Sequence, residues 1–183
     1  MTDKPELRTT ITATRAARTD HDRERDRALI RTHVLNWCQT NGLPTGARIA
    51  AYEPMRAEPG SIELLAELTR AGFEVIVPIT LSDLDLDWGE WTLTLQARVP
   101  LGVAAISTAA LVLVPAFAVD PAGQRLGRGG GSYDRALARV PDGVPIVAML
   151  FDDELVAEVP VDEWDRPVRA VVTPSGWRDL NWT

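Results

Sequence analysis

An α/β fold is what this sequence predicts: a three-layer α/β/α sandwich with a mostly parallel open sheet and N-terminal helices packed on it. Three observations carry that expectation. From Arg48 onward, short apolar runs alternate with amphipathic helical stretches. Two runs, ALVLVPAFAV (Ala110–Val119) and VPIVAMLF (Val144–Phe151), are continuously apolar, as strands covered on both faces are. The residues before Arg48 read as helix, and strand–helix alternation behind them implies a doubly wound sheet.

Each element has its own local signal. Lys4, Arg8 and Arg15 fall on one helical stripe, with Leu7, Ile11 and Thr14 on its neighbour. A second helix is expected from Thr19 or Asp20, carrying Leu29, Ile30, Val34, Trp37 and Cys38 at helical spacing until Asn41-Gly42-Leu43-Pro44 stops it. RIAAYEP (48–54) then reads as a short buried strand, PGSIELLAELTRAG (59–72) as an amphipathic helix ended by Gly72, and FEVIVPIT (73–80) as the next strand. The acidic LSDLDLDWGEWTLTLQ (81–96) reads as an exposed loop leading into an edge strand. A helix, SYDRALARV (132–140), separates the two apolar runs, and RAVVT (169–173) closes the series as a last short strand. With no repeat, linker or low-complexity stretch, residues 1–183 are expected to form one domain: a helical segment 1–42 and an α/β core 43–183.

Composition narrows the function. A domain of 183 residues buries roughly 70% of its unfolded surface and needs no staple. Cys38 is the single cysteine, which excludes an internal disulfide and favours a cytoplasmic protein. His21 and His33 are the only histidines, so a histidine-based zinc centre is not expected. The charged start MTDKPELRTT is unlike a signal peptide, and the apolar runs are too short to cross a bilayer. A net charge of −7 argues against nucleic acid as a partner, yet leaves room for a local basic pocket. Lys4 is the only lysine in a chain otherwise reliant on arginine.

The stretch GQRLGRGGGSYDR (Gly123–Arg135) concentrates the chemistry, with five glycines, three arginines and an aspartate. It lies after an apolar strand and opens a helix, the position where open α/β sheets bind ligands. Consecutive glycines let backbone N–H groups converge on an anion, and the helix start adds positive potential. Arg125 and Arg128 offer forked donors that match phosphate oxygens. The chemistry alone admits two readings, a polyphosphate cradle and a surface turn with incidental arginines. The order of residues is neither a Walker loop nor a dinucleotide fingerprint. Asp134 follows the loop directly, and Asp165 lies further on in DEWDRPV; a carboxylate beside phosphates either caps a helix or shares a magnesium ion with them.

The loop resembles the glycine–arginine signature of the 5-formyltetrahydrofolate cyclo-ligases, also called methenyltetrahydrofolate synthetases. KPELR (4–8), YEPMRAEPGSIELL (52–65), LVLVPAFAVD (111–120) and DDELVAEVPVDEWDRPVRAVVTP (152–174) extend the resemblance nearly end to end. It implies an enzyme that uses ATP and Mg2+ to turn 5-formyltetrahydrofolate into 5,10-methenyltetrahydrofolate, ADP and phosphate through a phosphorylated formyl group. It also implies a monomer with no nucleic-acid or membrane partner. By the same resemblance Lys4 and Arg8 meet ATP phosphates, and Arg125, Leu126, Gly127, Arg128, Gly129, Gly130, Gly131, Ser132 and Tyr133 wrap the nucleotide. Arg125, Arg128 and Tyr133 carry the catalysis, and Asp134 and Asp165 are the magnesium ligands. Glu53, Met55 and Glu58 form the folate pocket together with the Arg128–Ser132 segment, Glu58 holding the pterin-like ring.

The sequence departs from the family pattern at four places. Ser132 stands where a tyrosine is usual, Glu154 where glutamine is common, and Arg169 where aspartate is common. The stretch TLTLQARVPLGV (92–103) lacks a glycine–aromatic–Glu-Pro element, so Trp88 or Trp91 is a candidate folate-facing aromatic, or else packs in the core. Two other function classes remain on the sequence: a family member that binds nucleotide or reduced folate without turnover, and a sugar-phosphate isomerase or CoA-transferase-like enzyme.

Overall fold

The computed structural model describes residues 3–94 and 97–180; Leu95 and Gln96, at the end of the stretch expected to lead into an edge strand, lie outside the described residues. Helix α1 spans Lys4–Ala17 and helix α2 spans Asp20–Thr40. Each begins where a side-chain oxygen can take an orphan backbone donor: Asp3 accepts from the Glu6 N–H, and Thr19 from the Asp22 N–H. Pro5 sits in the first turn of α1, where its missing N–H costs nothing.

The sheet has seven strands: β1 (Arg48–Ala50), β2 (Glu74–Thr80), β3 (Leu86–Glu90), β4 (Leu111–Pro115), β7 (Ile146–Met149), β8 (Ala170–Thr173) and β9 (Gly176–Asp179). Their spatial order is β3-β2-β1-β4-β7-β8-β9, parallel in the centre and antiparallel only at the two edges, β2–β3 and β8–β9. Alternate strand residues face opposite layers. Ile49, Val75, Val77, Leu111, Leu113, Val147 and Val172 pack with α2 and with α3 (Ile62–Arg70). Ala50, Ile76, Val112, Val114, Ala148 and Val171 pack with a 3-10 turn at Val103–Thr108 and with α4 (Ser132–Leu137). Helical elements on both faces make the sandwich the sequence predicts.

Three boundaries differ from expectation. RIAAYEP forms a strand only as far as Ala50, and the chain beyond it leaves the sheet. ALVLVPAFAV is two strands, not one: β4 ends at Pro115, which has no N–H to continue a ladder. The remainder turns into β5 (Ala118–Val119), paired antiparallel with β6 (Arg125–Leu126) in a separate ribbon. RAVVT is not the last strand, because the two-residue turn at Pro174 and Ser175 folds β9 back onto it. Trp177 on β9 stacks on Trp37 of α2, centroids 4.6 Å apart. The acidic stretch runs as expected, from a loop at 81–85 into edge strand β3, though Trp88 on that strand is only 1% exposed, in the core.

Two features of this topology position the site. The chain runs from β1 through α3 to β2 on one side, then resumes at β4 on the other, so β1 and β4 flank the point where the strand order reverses. Their carboxyl ends therefore open a crevice between the segments that follow them, Tyr52–Glu58 after β1 and Ala116–Phe117 after β4. Across the far end of β7, α1 is locked down by a buried ion pair. Arg15 gives two bonds to Glu154, 2.6 and 2.9 Å, and a third to the Ala116 carbonyl at 2.6 Å.

Candidate active site

The glycine loop is the common wall of two cavities. The first, about 360 Å³, occupies the crevice at the strand reversal. It is lined by Tyr52, Glu53, Met55 and Glu58 on one side and by the Gly127–Asp134 segment on the other. The second, about 900 Å³, lies between α1, the same loop and the segment 162–166. Gly127, Gly129, Gly130, Gly131, Arg125 and Asp134 face both.

Local backbone chemistry explains the glycines. Gly129 and Gly131 have φ of 101° and 66°, in the left-handed region that side-chain-bearing residues avoid. Gly131 is the residue preceding α4, so the turn into the helix needs that conformation. A Cβ on Gly127 would stand 2.8 Å from the Arg125 guanidinium, which is buried and cannot give way. Arg8 spans the same place, donating to the Gly127 carbonyl at 2.8 Å.

Cations crowd the second cavity, and several are already paired. Lys4 reaches Asp162 and Asp165, each at 2.6 Å. Partial burial works against its charge, but the two carboxylates outweigh that and hold the ammonium above its ordinary pKa. Arg125 donates to Asp134 at 2.9 Å and to the Pro115 carbonyl at 3.3 Å. Asp134 Oδ1 also accepts the Arg166 N–H, and Asp165 Oδ2 the Asp162 N–H. In both aspartates the other oxygen accepts no hydrogen bond from a described residue. Among the described residues no group of three or more His, Cys, Asp or Glu is gathered for a metal. Two carboxylates with an oxygen to spare, facing one anion groove, fit a magnesium ion that takes its remaining ligands from phosphate and water.

The first cavity is organised around Glu58, whose side chain is 8% exposed. Its Oε2 accepts the Met55 N–H at 2.8 Å, and its Oε1 accepts from Arg128 at 2.9 Å. Arg27 grips the same turn from behind, donating to the carbonyls of Arg56 and Glu58. Glu53 is held by Arg98 and by the Trp91 indole N–H. Tyr52 and Tyr133 line this cavity with hydroxyls that find no partner among the described residues, and burial raises both phenols above their usual pKa, so they remain neutral donors.

The residues singled out from the sequence thus divide between the cavities. Lys4, Arg8 and Asp165 line the second, Glu53, Met55, Glu58, Arg128, Ser132 and Tyr133 line the first, and Asp134 and the glycines border both. Leu126 is apart: its side chain is buried against Ile11, Ala118 and Val159 and enters neither cavity. Trp88 and Trp91 do not enter the first cavity; both are buried in the core. Tyr52, Arg15 and Phe117 in the first cavity, and Arg135, Trp164 and Arg166 in the second, were not assigned to the site from the sequence. Arg15 carried a signal, its place on the stripe of Lys4 and Arg8. Of the departures, Glu154 is explained as the partner of buried Arg15, and Arg169 lies 3.7 Å from Asp142 at the surface.

The fold and the arrangement have relatives. A methenyltetrahydrofolate synthetase from Mycoplasma pneumoniae superposes with a TM-score of 0.80 at 20% identity, over 94% of this chain and 99% of that one. The 5,10-methenyltetrahydrofolate synthetase of Aquifex aeolicus superposes with a TM-score of 0.75 at 24% identity, over 98% and 94%. In sequence, a 5-formyltetrahydrofolate cyclo-ligase from Mycolicibacterium smegmatis is 36% identical over 93% of each chain. The model of the 5-formyltetrahydrofolate cyclo-ligase family matches residues 1–174. A match along almost the whole chain, its glycine loop and both cavities included, means that this protein belongs to the 5-formyltetrahydrofolate cyclo-ligase family.

Proposed function

We propose that the protein, acting as a monomer, converts 5-formyltetrahydrofolate to 5,10-methenyltetrahydrofolate with ATP and Mg2+, the folate in the first cavity and the nucleotide in the second. The observation that carries this reading is the shared glycine wall. It sets Glu58, an acceptor suited to pterin N–H donors, across the loop from a groove that gathers Lys4, Arg8 and Arg125 with Asp134 and Asp165. A reaction that moves a phosphoryl group from one ligand to the other needs that adjacency.

The formyl oxygen attacks the γ-phosphorus as ADP leaves, which turns a poor leaving group into phosphate. The N10 amine then adds to the formyl carbon, loses its proton, and phosphate departs as the five-membered ring closes. Neither step needs a protein nucleophile; both need positioning and charge neutralisation. Glu58 orients the ring by accepting from its amino and ring N–H groups. Arg128, on the loop between the ligands and 59% exposed, is free to move from Glu58 to the transferring phosphoryl oxygens. Arg125, Lys4 and Arg8 hold the phosphates with the glycine N–H groups. Asp134 and Asp165 would hold Mg2+, which neutralises phosphate charge when bound. Tyr133, neutral in its buried position, is a donor toward the folate side of the loop.

The test is the appearance of methenyltetrahydrofolate absorbance from 5-formyltetrahydrofolate with ATP and Mg2+ supplied together, separately and not at all. Product is expected only with both. An undiminished rate without ATP would overturn the reading.

A further inference from the structure

The second cavity contains an aromatic side chain that nothing in the fold uses. Trp164 is 77% exposed, the most exposed of the large apolar side chains among the described residues, and it lines the groove. A single exposed apolar side chain is ordinary on a protein surface; what sets Trp164 apart is that it lines this groove. Among the described residues the one stacked aromatic pair is Trp37–Trp177, so Trp164 has no ring against it.

Its backbone, in contrast, is tied down. Asp162–Asp165 is a tight turn closed by the Asp165 N–H on the Asp162 carbonyl at 3.1 Å, and Trp164 is its third residue. The Asp162 N–H on Asp165 Oδ2 closes it again, and Lys4 holds both aspartates to α1. Directly after the turn, the Arg166 N–H is on Asp134 and the Val168 N–H on the Gly123 carbonyl. A hydrogen-bonded turn therefore presents one indole without a stacked ring at the edge of a groove otherwise lined by the cations, the loop glycines and the carboxylates paired with those cations. That pairing, charge for a polyphosphate and a bare π-face beside it, matches the two ends of a nucleotide.

We infer that Trp164 is the stacking platform for the nucleobase, so that the groove takes purine nucleoside triphosphates with its phosphates at the glycine loop and its base on the indole. The inference rests on the proposed function, in which the groove holds the nucleotide. Stacking reads a π-face and not a hydrogen-bond pattern, so this contact serves adenine and guanine alike.

The experiment compares dissociation constants of the Mg2+ complexes of ADP and GDP with that of inorganic tripolyphosphate, by calorimetry, for the wild type, Trp164→Ala and Trp164→Phe. Because Trp164 is exposed, thermal melting should be unchanged in both variants. Trp164→Ala should weaken ADP and GDP about five- to a hundredfold, the range found for base–aromatic stacking, and tripolyphosphate less than about twofold. Trp164→Phe should recover most of the nucleotide affinity. Equal weakening of tripolyphosphate and nucleotide, or unchanged nucleotide affinity, would overturn the platform. A wild type that binds tripolyphosphate as tightly as ADP would overturn it too while leaving the phosphate groove standing. A wild type that binds none of the three would bring down the nucleotide reading and the platform together.

Discussion

Replacing Glu58 with glutamine separates the first cavity from the second. In the ligand-free chain the carboxylate is nearly fully buried and accepts from the Met55 N–H and from Arg128. An amide keeps the Met55 bond through its carbonyl oxygen, but turns an N–H2 group toward a guanidinium that also only donates. Arg128 is more than half exposed and can turn to water, so that loss costs less than about 1 kcal/mol of stability. For a chain of this length that is a fall in melting temperature of about 2–4 °C at most. With folate bound the arithmetic changes. One charge-assisted acceptor facing the pterin is replaced by a buried donor, at a cost of about 1.5–3 kcal/mol. Folate KM should therefore rise about ten- to a hundredfold, while ATP KM moves less than about twofold. The assay is steady-state kinetics with each substrate varied in turn, beside a thermal melt. A proportional rise in both KM values, or a melting temperature lowered by ten degrees, would mean that Glu58 acts by holding its turn together and not by meeting the folate.

Three further outcomes follow from other parts of the structure. Arg128→Ala should lower kcat by about a hundredfold or more with an unchanged melting temperature, and Arg128→Lys should recover little, because one ammonium cannot reproduce a forked contact; kinetics and melting of both variants check this. Glu154→Ala should leave Arg15 charged and buried without its partner, at about 3–5 kcal/mol and at least 6 °C or so in melting temperature, whereas Arg15→Met with Glu154→Leu should restore most of the loss. The Cys38 thiol, 1% exposed, is pushed by burial from 9.0 to about 11. Its folded pKa is the higher one, so its contribution is whole below pH 9 and is lost as pH climbs to about 11, on the order of 2 kcal/mol. Denaturant unfolding between pH 8 and 11 should accordingly fall less steeply for Cys38→Ala than for the wild type.

How much was legible in the sequence depended on whether the signal was local. The start of the second helix at Thr19–Asp20, the strand at Glu74–Thr80 and the place of the glycine loop before a helix all follow from short-range chemistry, and each is read from a few residues. The split after Pro115 was signalled by that proline and overridden by the apolar character on both sides of it. Strand β9 was hidden because Gly176–Asp179 is polar and partly exposed, an edge held by pairing and by the Trp37–Trp177 stack, not by periodicity. The site residues named from the sequence come from four separate segments. Chemistry alone pointed to the glycine loop, Asp134 and Asp165; the remainder came from family resemblance, because only folding brings Lys4 to Asp165 and Glu58 to Arg128. Trp164 could not be singled out, since a tryptophan in a sequence does not reveal whether it is buried like Trp88 or bare.

The pairing of Lys4 with Asp162 and Asp165, and of Arg125 with Asp134, means that the groove carries its own counter-ions. A lone monovalent anion entering it must evict a carboxylate and leave that carboxylate stranded, so the exchange is close to neutral and the anion gains little. A polyanion that arrives with a divalent cation meets a different balance: the anion takes the lysine and arginines, and the cation takes the aspartates they release. Nothing is left unmatched. Under the proposed function, the acidic side chains therefore favour metal-loaded polyphosphates over simple anions by charge balance, without a steric gate.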